Sequence, residues 1–152
     1  MIAYYAGDVR RINHFLKVYG FAKAIGEMEG LDESTQEIIE IAALTHDIGI
    51  KNSEKKYNSS AGNYQQIEGP PEAKKLLAEL GIESGVIDRV CWLIAHHHTY
   101  TDIQGIDYQI LVEADFLVNF YEDDMSIDSV HSAGGKMFKT LSGKAILNAI
   151  YS

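Results

Sequence analysis

Residues 42–49 read AALTHDIG, from Ala42 to Gly49, and the organisation of the whole chain follows from this stretch. An apolar helical run carries straight into His46 and Asp47 and then breaks at Gly49. Ile38, Ile41 and Ala42 mark an inward stripe at helical spacing, and His46 follows Ala42 by four residues, on that stripe. Burying an ionised carboxylate such as Asp47 costs several kcal/mol, against a total folding stability of about 5–15 kcal/mol. A compensating charge is therefore required.

Upstream, residues 8–28 read as an amphipathic helix with Asp8 as N-cap and Val18, Phe21 and Ile25 on its apolar face. His14 precedes Val18 by four residues and shares that face. Gly30 ends this helix, and Ser34 with Glu37 forms a capping-box pattern that opens the helix leading to His46 and Asp47. Downstream, residues 51–69 are polar and glycine-bearing, and a loop anchored by Tyr57, Tyr64 and Ile67 is expected to border the pair. Pro70 and Pro71 suit the first turn of a short helix that stops at Gly81. Ser84 is expected to cap a further helix whose apolar positions Val86, Val90, Leu93 and Ile94 continue to His97. His98 lies at the edge of that stripe and His96 points sideways. Asp107 is expected to cap the next helix, in which Leu111, Val112 and Val118 bracket Asp115.

After Asp124 the pattern weakens around Gly134 and Gly135, and only residues 144–152 regain a short helical period, so this segment is expected to pack on the outside. No repeat and no strand-like alternation occurs. The fold class expected is all-α: a single-domain helical bundle over residues 1–152, with a core at about 12–122 and a peripheral C-terminal segment at 123–152.

Composition limits the function. The chain has 152 residues, 46% hydrophobic and 23% charged, and no apolar run approaches the roughly 18 residues of a membrane span. Its opening lacks the features of a signal peptide, and a cytoplasmic protein is expected. Cys91 is the single cysteine and sits in an apolar run, which favours an inert buried thiol. A net charge of −9 opposes binding to nucleic acid or anionic membranes. A small anionic substrate would need a local positive centre, and a metal would provide one.

Four helices thus turn metal-competent groups inward: His14; His46 with Asp47; His97 and His98; and Asp115. Imidazole and carboxylate together suit iron, manganese, zinc or nickel. Each residue also has a plainer explanation. A buried histidine is more often a hydrogen-bonded core residue, and Asp115 could pair with Arg10, Arg11 or Arg89. Residues 96–98 could be a solvated helix end, and His131 is expected to face solvent. Four helices would need four unrelated explanations, whereas one cation satisfies them together.

The order His14, His46–Asp47 and Asp115, with ALTHDIG around the central pair, resembles the HD-domain superfamily of metal-dependent hydrolases over about residues 12–122. The resemblance implies a helical bundle around a divalent metal bound by His14, His46, Asp47 and Asp115. It also implies phosphohydrolase activity on a small phosphoester, a nucleotide among the candidates, by attack of metal-bound water. The stretch LIAHHHTY resembles the family's histidine pair. It would place His97 and His98 where a second metal or the substrate phosphate is met, with either histidine able to protonate a leaving oxygen. Asp47 would bind the first metal and orient the water or bridge to a second ion. Where two-metal members carry a further histidine, this chain has YQQIEGPP, so Gln65, Gln66 or Glu68 would have to substitute. Lys51 would add positive charge at the pocket mouth, and Glu113 would support a metal histidine unless it lies on an exposed face. Two other readings compete: a di-iron oxygenase of the same superfamily, and a non-catalytic ligand-binding or interaction module.

Overall fold

The computed structural model describes residues 1–152 and contains eight α-helices and no strand: α1 Val9–Glu29, α2 Glu33–Thr45, α3 Ile50–Tyr57, α4 Gly62–Glu79, α5 Ser84–His96, α6 Ile106–Glu122, α7 Ile127–Met137 and α8 Leu141–Ile150. Helix α6 is buried on nearly all sides and packs against α1 and α2, while α5 closes the bundle against α2 and α4. α6 fills the centre of the bundle through Ile110, Leu111, Leu117 and Phe120, with Gln109, Glu113 and Asp115 buried among them. No helix is long and apolar enough to cross a membrane.

The boundaries of α1 follow the expected chemistry. The Asp8 carboxylate accepts from the Arg11 amide, and Gly30 adopts φ 73° at the C-terminus, the left-handed conformation that glycine takes without a Cβ penalty. Three other N-termini differ from expectation by one or two residues. Asp32 caps α2 by accepting from Ser34 and Thr35, so Ser34 lies inside the helix. Glu83 caps α5 through the Val86 amide, with Ser84 as the first helical residue. Gly105, at φ 96°, precedes α6, and Asp107 spends its carboxylate on Arg89 in two bonds of 2.7 Å. In the first two cases a carboxylate one or two positions away takes the free amides, and in the third glycine supplies the backbone turn with no side-chain cap.

The largest departure is at residues 51–69, where α3 and most of the first half of α4 replace the expected loop. Helix α4 also runs through Pro70 and Pro71 instead of starting there. Two prolines remove the hydrogen bonds to the carbonyls of Gln66 and Ile67. Ile67 is 60% exposed, so water can satisfy that side. What holds the helix is tertiary: the backbone of α4 lies against the turn after Asp47, so closely that a Cβ on Gly49 would come within 2.7 Å of Gln65 O and Gly69 N. Close backbone approach therefore requires Gly49.

Residues 123–152 also form more structure than expected. Helices α7 and α8 lie outside α6 and α1, yet they contribute Val130, Phe138 and Leu147 to the hydrophobic core. Glu113, fully buried, ties them down. Its carboxylate accepts from the amides of Lys139 at 2.6 Å and Thr140 at 2.9 Å, from the Thr140 hydroxyl, and from Gln109 Nε2. Glu113 therefore supports the C-terminal helices and not a metal histidine, and it does not lie on an exposed face.

Candidate metal centre

Helix α1 delivers His14, the end of α2 delivers His46 and Asp47, and α6 delivers Asp115 to one point in the bundle. His14 Nε2 lies 3.3 Å from His46 Nε2, 3.5 Å from Asp47 Oδ2 and 3.3 Å from Asp115 Oδ1. His46 Nε2 lies 3.6 Å from each of the same two oxygens. His14, His46 and Asp115 are all buried, and Asp47 is slightly more open.

Each of these groups is aimed by a second contact. The His14 Nδ1 faces Glu122 Oε2 at 3.0 Å, and Lys17 neutralises the other Glu122 oxygen at 2.6 Å. His46 Nδ1 donates to Ala43 O at 2.8 Å, which leaves Nε2 as the atom presented to the site. Asn119 donates to Asp115 Oδ1 at 2.9 Å. Tyr5, almost wholly buried, donates its hydroxyl to Asp47 O at 2.8 Å and fixes the turn that follows α2. A ring nitrogen held by a carboxylate or carbonyl on its far side is the usual support of a metal-binding histidine.

The charges follow from this geometry. Burial alone would lower the pKa of His46, but Asp47 and Asp115 outweigh it and bring it up to about 9. Burial likewise opposes protonation of His14, yet Asp115 and Asp47 raise its pKa. Asp47 is brought down to about 2 by His46 and His97 against the opposing effect of burial, and Asp115 is held low by His14 and His46. Two carboxylates in a nearly dry site thus stabilise positive charge on the two rings facing them. A divalent cation is the alternative counter-charge. Ligand atoms about 2.1 Å from one centre lie about 3.0–3.4 Å apart at octahedral to tetrahedral angles, close to the separations seen here. His14, His46 and Asp47 fit such an ion together, and Asp115 stands within 3.6 Å of both rings.

A second group adjoins the first. Donor atoms of Asp47, His97 and His98 lie within 4.8 Å of one another, and His97 Nε2 is 3.6 Å from Asp47 Oδ1. Asp47 therefore turns one oxygen toward each group. His97 Nδ1 donates to Ile94 O at 2.7 Å, while the Nε2 atoms of His97 and His98 are buried without a hydrogen-bond partner. His98 packs over Gly62, where a Cβ would meet the ring at 2.6 Å. Burial, then His97, push His98 down to about 4, which favours the neutral ring with one nitrogen lone pair free. That suits a metal ligand.

Two expected participants are elsewhere. Glu68 is paired with Lys56 Nζ at 2.5 Å and Tyr57 OH at 2.9 Å, so it does not complete the second group. Lys51 donates to Tyr4 O at 3.2 Å, with its ammonium 5.0 Å from the Tyr4 ring centre, and does not line the adjoining cavity. Gln66 is bonded to Thr99, which leaves Gln65, whose Oε1 is buried and unpartnered, as the polar side chain of that stretch facing the site. His96 stacks on Trp92 and His131 is exposed.

His14 and Asp47 open onto a cavity of about 630 Å³, whose cations are Arg10 and Arg11. Arg11 is paired with Asp8 and Glu54, whereas Arg10 makes no ion pair or hydrogen bond. Glu122, Tyr5 and Gln65 were not anticipated in their present roles. For Glu122 a signal existed: Asp115, Asn119 and Glu122 follow one another at i, i+4 and i+7, one face of α6.

The HD domain family profile matches residues 11–130. The chain belongs to the HD-domain family. No curated protein and no solved structure matches it significantly. HD domains are mostly metal-dependent hydrolases, and the histidine–aspartate groups of this HD domain fit a divalent cation.

Proposed function

We propose that this HD domain is a phosphohydrolase acting on a small phosphoester. The observation that carries the reading is the placement of Asp47 and Asp115 carboxylate oxygens within 3.3–3.6 Å of both His14 and His46, beside a cavity that also presents an unpaired arginine. When bound, a divalent cation supplies acidity toward coordinated water and a positive centre for phosphoryl oxygens.

The chain's own residues account for the rest. Asp47 and Asp115 provide two negative charges in a site of low polarisability, where they would hold a divalent cation strongly and balance its charge. The second Asp47 oxygen, directed to His97, can accept a proton from water entering between them. Arg10 supplies fixed charge for a phosphoryl group approaching from the cavity. His97 and His98 present unpartnered Nε2 atoms, which favours a role as ligands to a second cation that shares Asp47.

Purified protein should contain close to stoichiometric iron, manganese, zinc or nickel and hydrolyse members of a phosphoester panel. Metal content with no hydrolysis but oxygen uptake by the ferrous protein would move it to the oxygenase class. A folded protein that takes up none of these metals would leave only a binding module.

A further inference from the structure

Gln65 has a fixed orientation. Its Nε2 donates to Ser60 O at 2.8 Å, and because a carbonyl can only accept, the amide cannot be turned around. Its Oε1 is consequently left buried without a partner on a residue that is 6% exposed and lines the cavity beside Asp47. A buried acceptor without a donor costs about 1–3 kcal/mol, and here the missing donor has to come from the cavity. Asp123, also in the lining, is another acceptor with no ion pair. A phosphate dianion donates no hydrogen bond, so these groups recognise a different part of the ligand.

The remaining lining limits what that part is. Of the eleven residues around the cavity only Ile50 is hydrophobic, and none is Phe, Tyr or Trp. A nucleobase gains about 1–3 kcal/mol from an aromatic platform, and that platform is absent from this wall. Tyr57 and Tyr64, the nearest stacked pair in sequence, have their faces on each other at 4.2 Å and lie outside the lining. Hydroxyl groups match both observations, since each can donate to Gln65 or Asp123 and needs no apolar face. Arg10, unpaired, is the complement of the phosphate.

We propose that the cavity takes a sugar or polyol phosphate, with hydroxyls donated to Gln65 Oε1 and Asp123 and the phosphate between Arg10 and the His14–Asp47 end, in preference to a nucleotide; this rests on the phosphohydrolase reading. The reaction consumes one water. Its oxygen bonds to phosphorus, the bond from phosphorus to the ester oxygen breaks, and the departing oxygen takes a proton, giving the free polyol and inorganic phosphate.

The test uses the intact, metal-loaded chain with hexose 6-phosphate, glycerol phosphate, phosphoethanolamine, a nucleoside 5′-monophosphate and p-nitrophenyl phosphate. The expected result is a kcat/KM for a hydroxyl-rich ester at least about tenfold above the others, and inhibition of p-nitrophenyl phosphate hydrolysis by the free polyol. Gln65→Met should lower the ratio of kcat/KM for the sugar ester over the nitrophenyl ester by about ten- to hundredfold, through KM. Asp123→Ala, at an exposed position, should lower the same ratio and keeps the proposal falsifiable if the first variant fails to fold. Preference for the nucleotide or the amino alcohol ester, or an equal loss on every ester in Gln65→Met, overturns the assignment while leaving the phosphohydrolase standing. No turnover of any ester by metal-loaded protein overturns both.

Discussion

The two histidine groups that share Asp47 are built differently. In the first, three of the four side chains that face the centre have a fixed support: Glu122 behind His14, Ala43 O behind His46, Asn119 beside Asp115. Its atoms are also satisfied by one another. In the second, His97 and His98 present Nε2 atoms with no partner, although both are largely removed from water. A site of mutually satisfied charges is preorganised and keeps its shape, whereas orphaned acceptors depend on what binds. The first group should therefore govern whether metal binds at all, and the second how the bound state performs.

The sharpest way to break this division is to remove its shared member. Asp47→Ala and Asp115→Ala should each lose bound metal and reduce phosphoester turnover by at least about a thousandfold, since a metal contributes several kcal/mol to the transition state. Metal analysis and initial rates measure both, and full activity in either variant would sink the site. His97→Ala should have a smaller effect, about a hundredfold in turnover, while the first cation remains bound. Release of all metal from His97→Ala would show that the two groups are one.

Much of this division was legible in the chain itself. His14, His46, His97 and Asp115 lie on apolar stripes at helical spacing, so their inward direction could be read from neighbours such as Val18, Ala42, Val90 and Val118. Helix boundaries were less legible, because Asp32 and Glu83 lie one or two residues from serines that could have served equally. Residues 51–69 misled for a stronger reason. Their composition is polar, and their helices are held by the contact of Gly49 with α4 and by Lys56 and Tyr57 on Glu68, none of which is local. Lys51 and Glu68 were misplaced for the same reason, since partners close in space decided where they point. Gln65 was one of three candidates, and only the pairing of Gln66 with Thr99 and of Glu68 with Lys56 separates it from the others.

A gentler perturbation tests the supports. Glu122→Gln preserves the shape behind His14 but removes the charge that orients and enriches its ring. It should weaken metal affinity by about tenfold to a hundredfold with the fold retained, read by titration with a competing chelator. If affinity is unchanged, His14 owes its orientation to packing alone, and the first group is less dependent on its supports than the geometry implies.

Protons give the finest comparison of the two groups. His46 is protonated up to about pH 9, so a cation entering the first group must displace a proton at neutral pH. Apparent metal affinity should then rise by up to about tenfold per pH unit from pH 7 and level off near 9. His98, pushed down to about 4, has no proton to lose over that range and adds nothing to the slope. Stability of the metal-free chain runs the other way. The raised His46 pKa contributes in full below its ordinary value of 6.5 and is lost as pH climbs through about 9, while Asp47 contributes above 3.8 and is lost as pH falls toward about 2. Metal-free protein should accordingly melt at a lower temperature at pH 9 than at pH 6, and metal should restore most of the difference. Calorimetry in buffers of different ionisation enthalpy counts the released protons directly. Metal uptake that releases none at pH 7 would mean that the charge on the first pair of rings is not what the cation replaces.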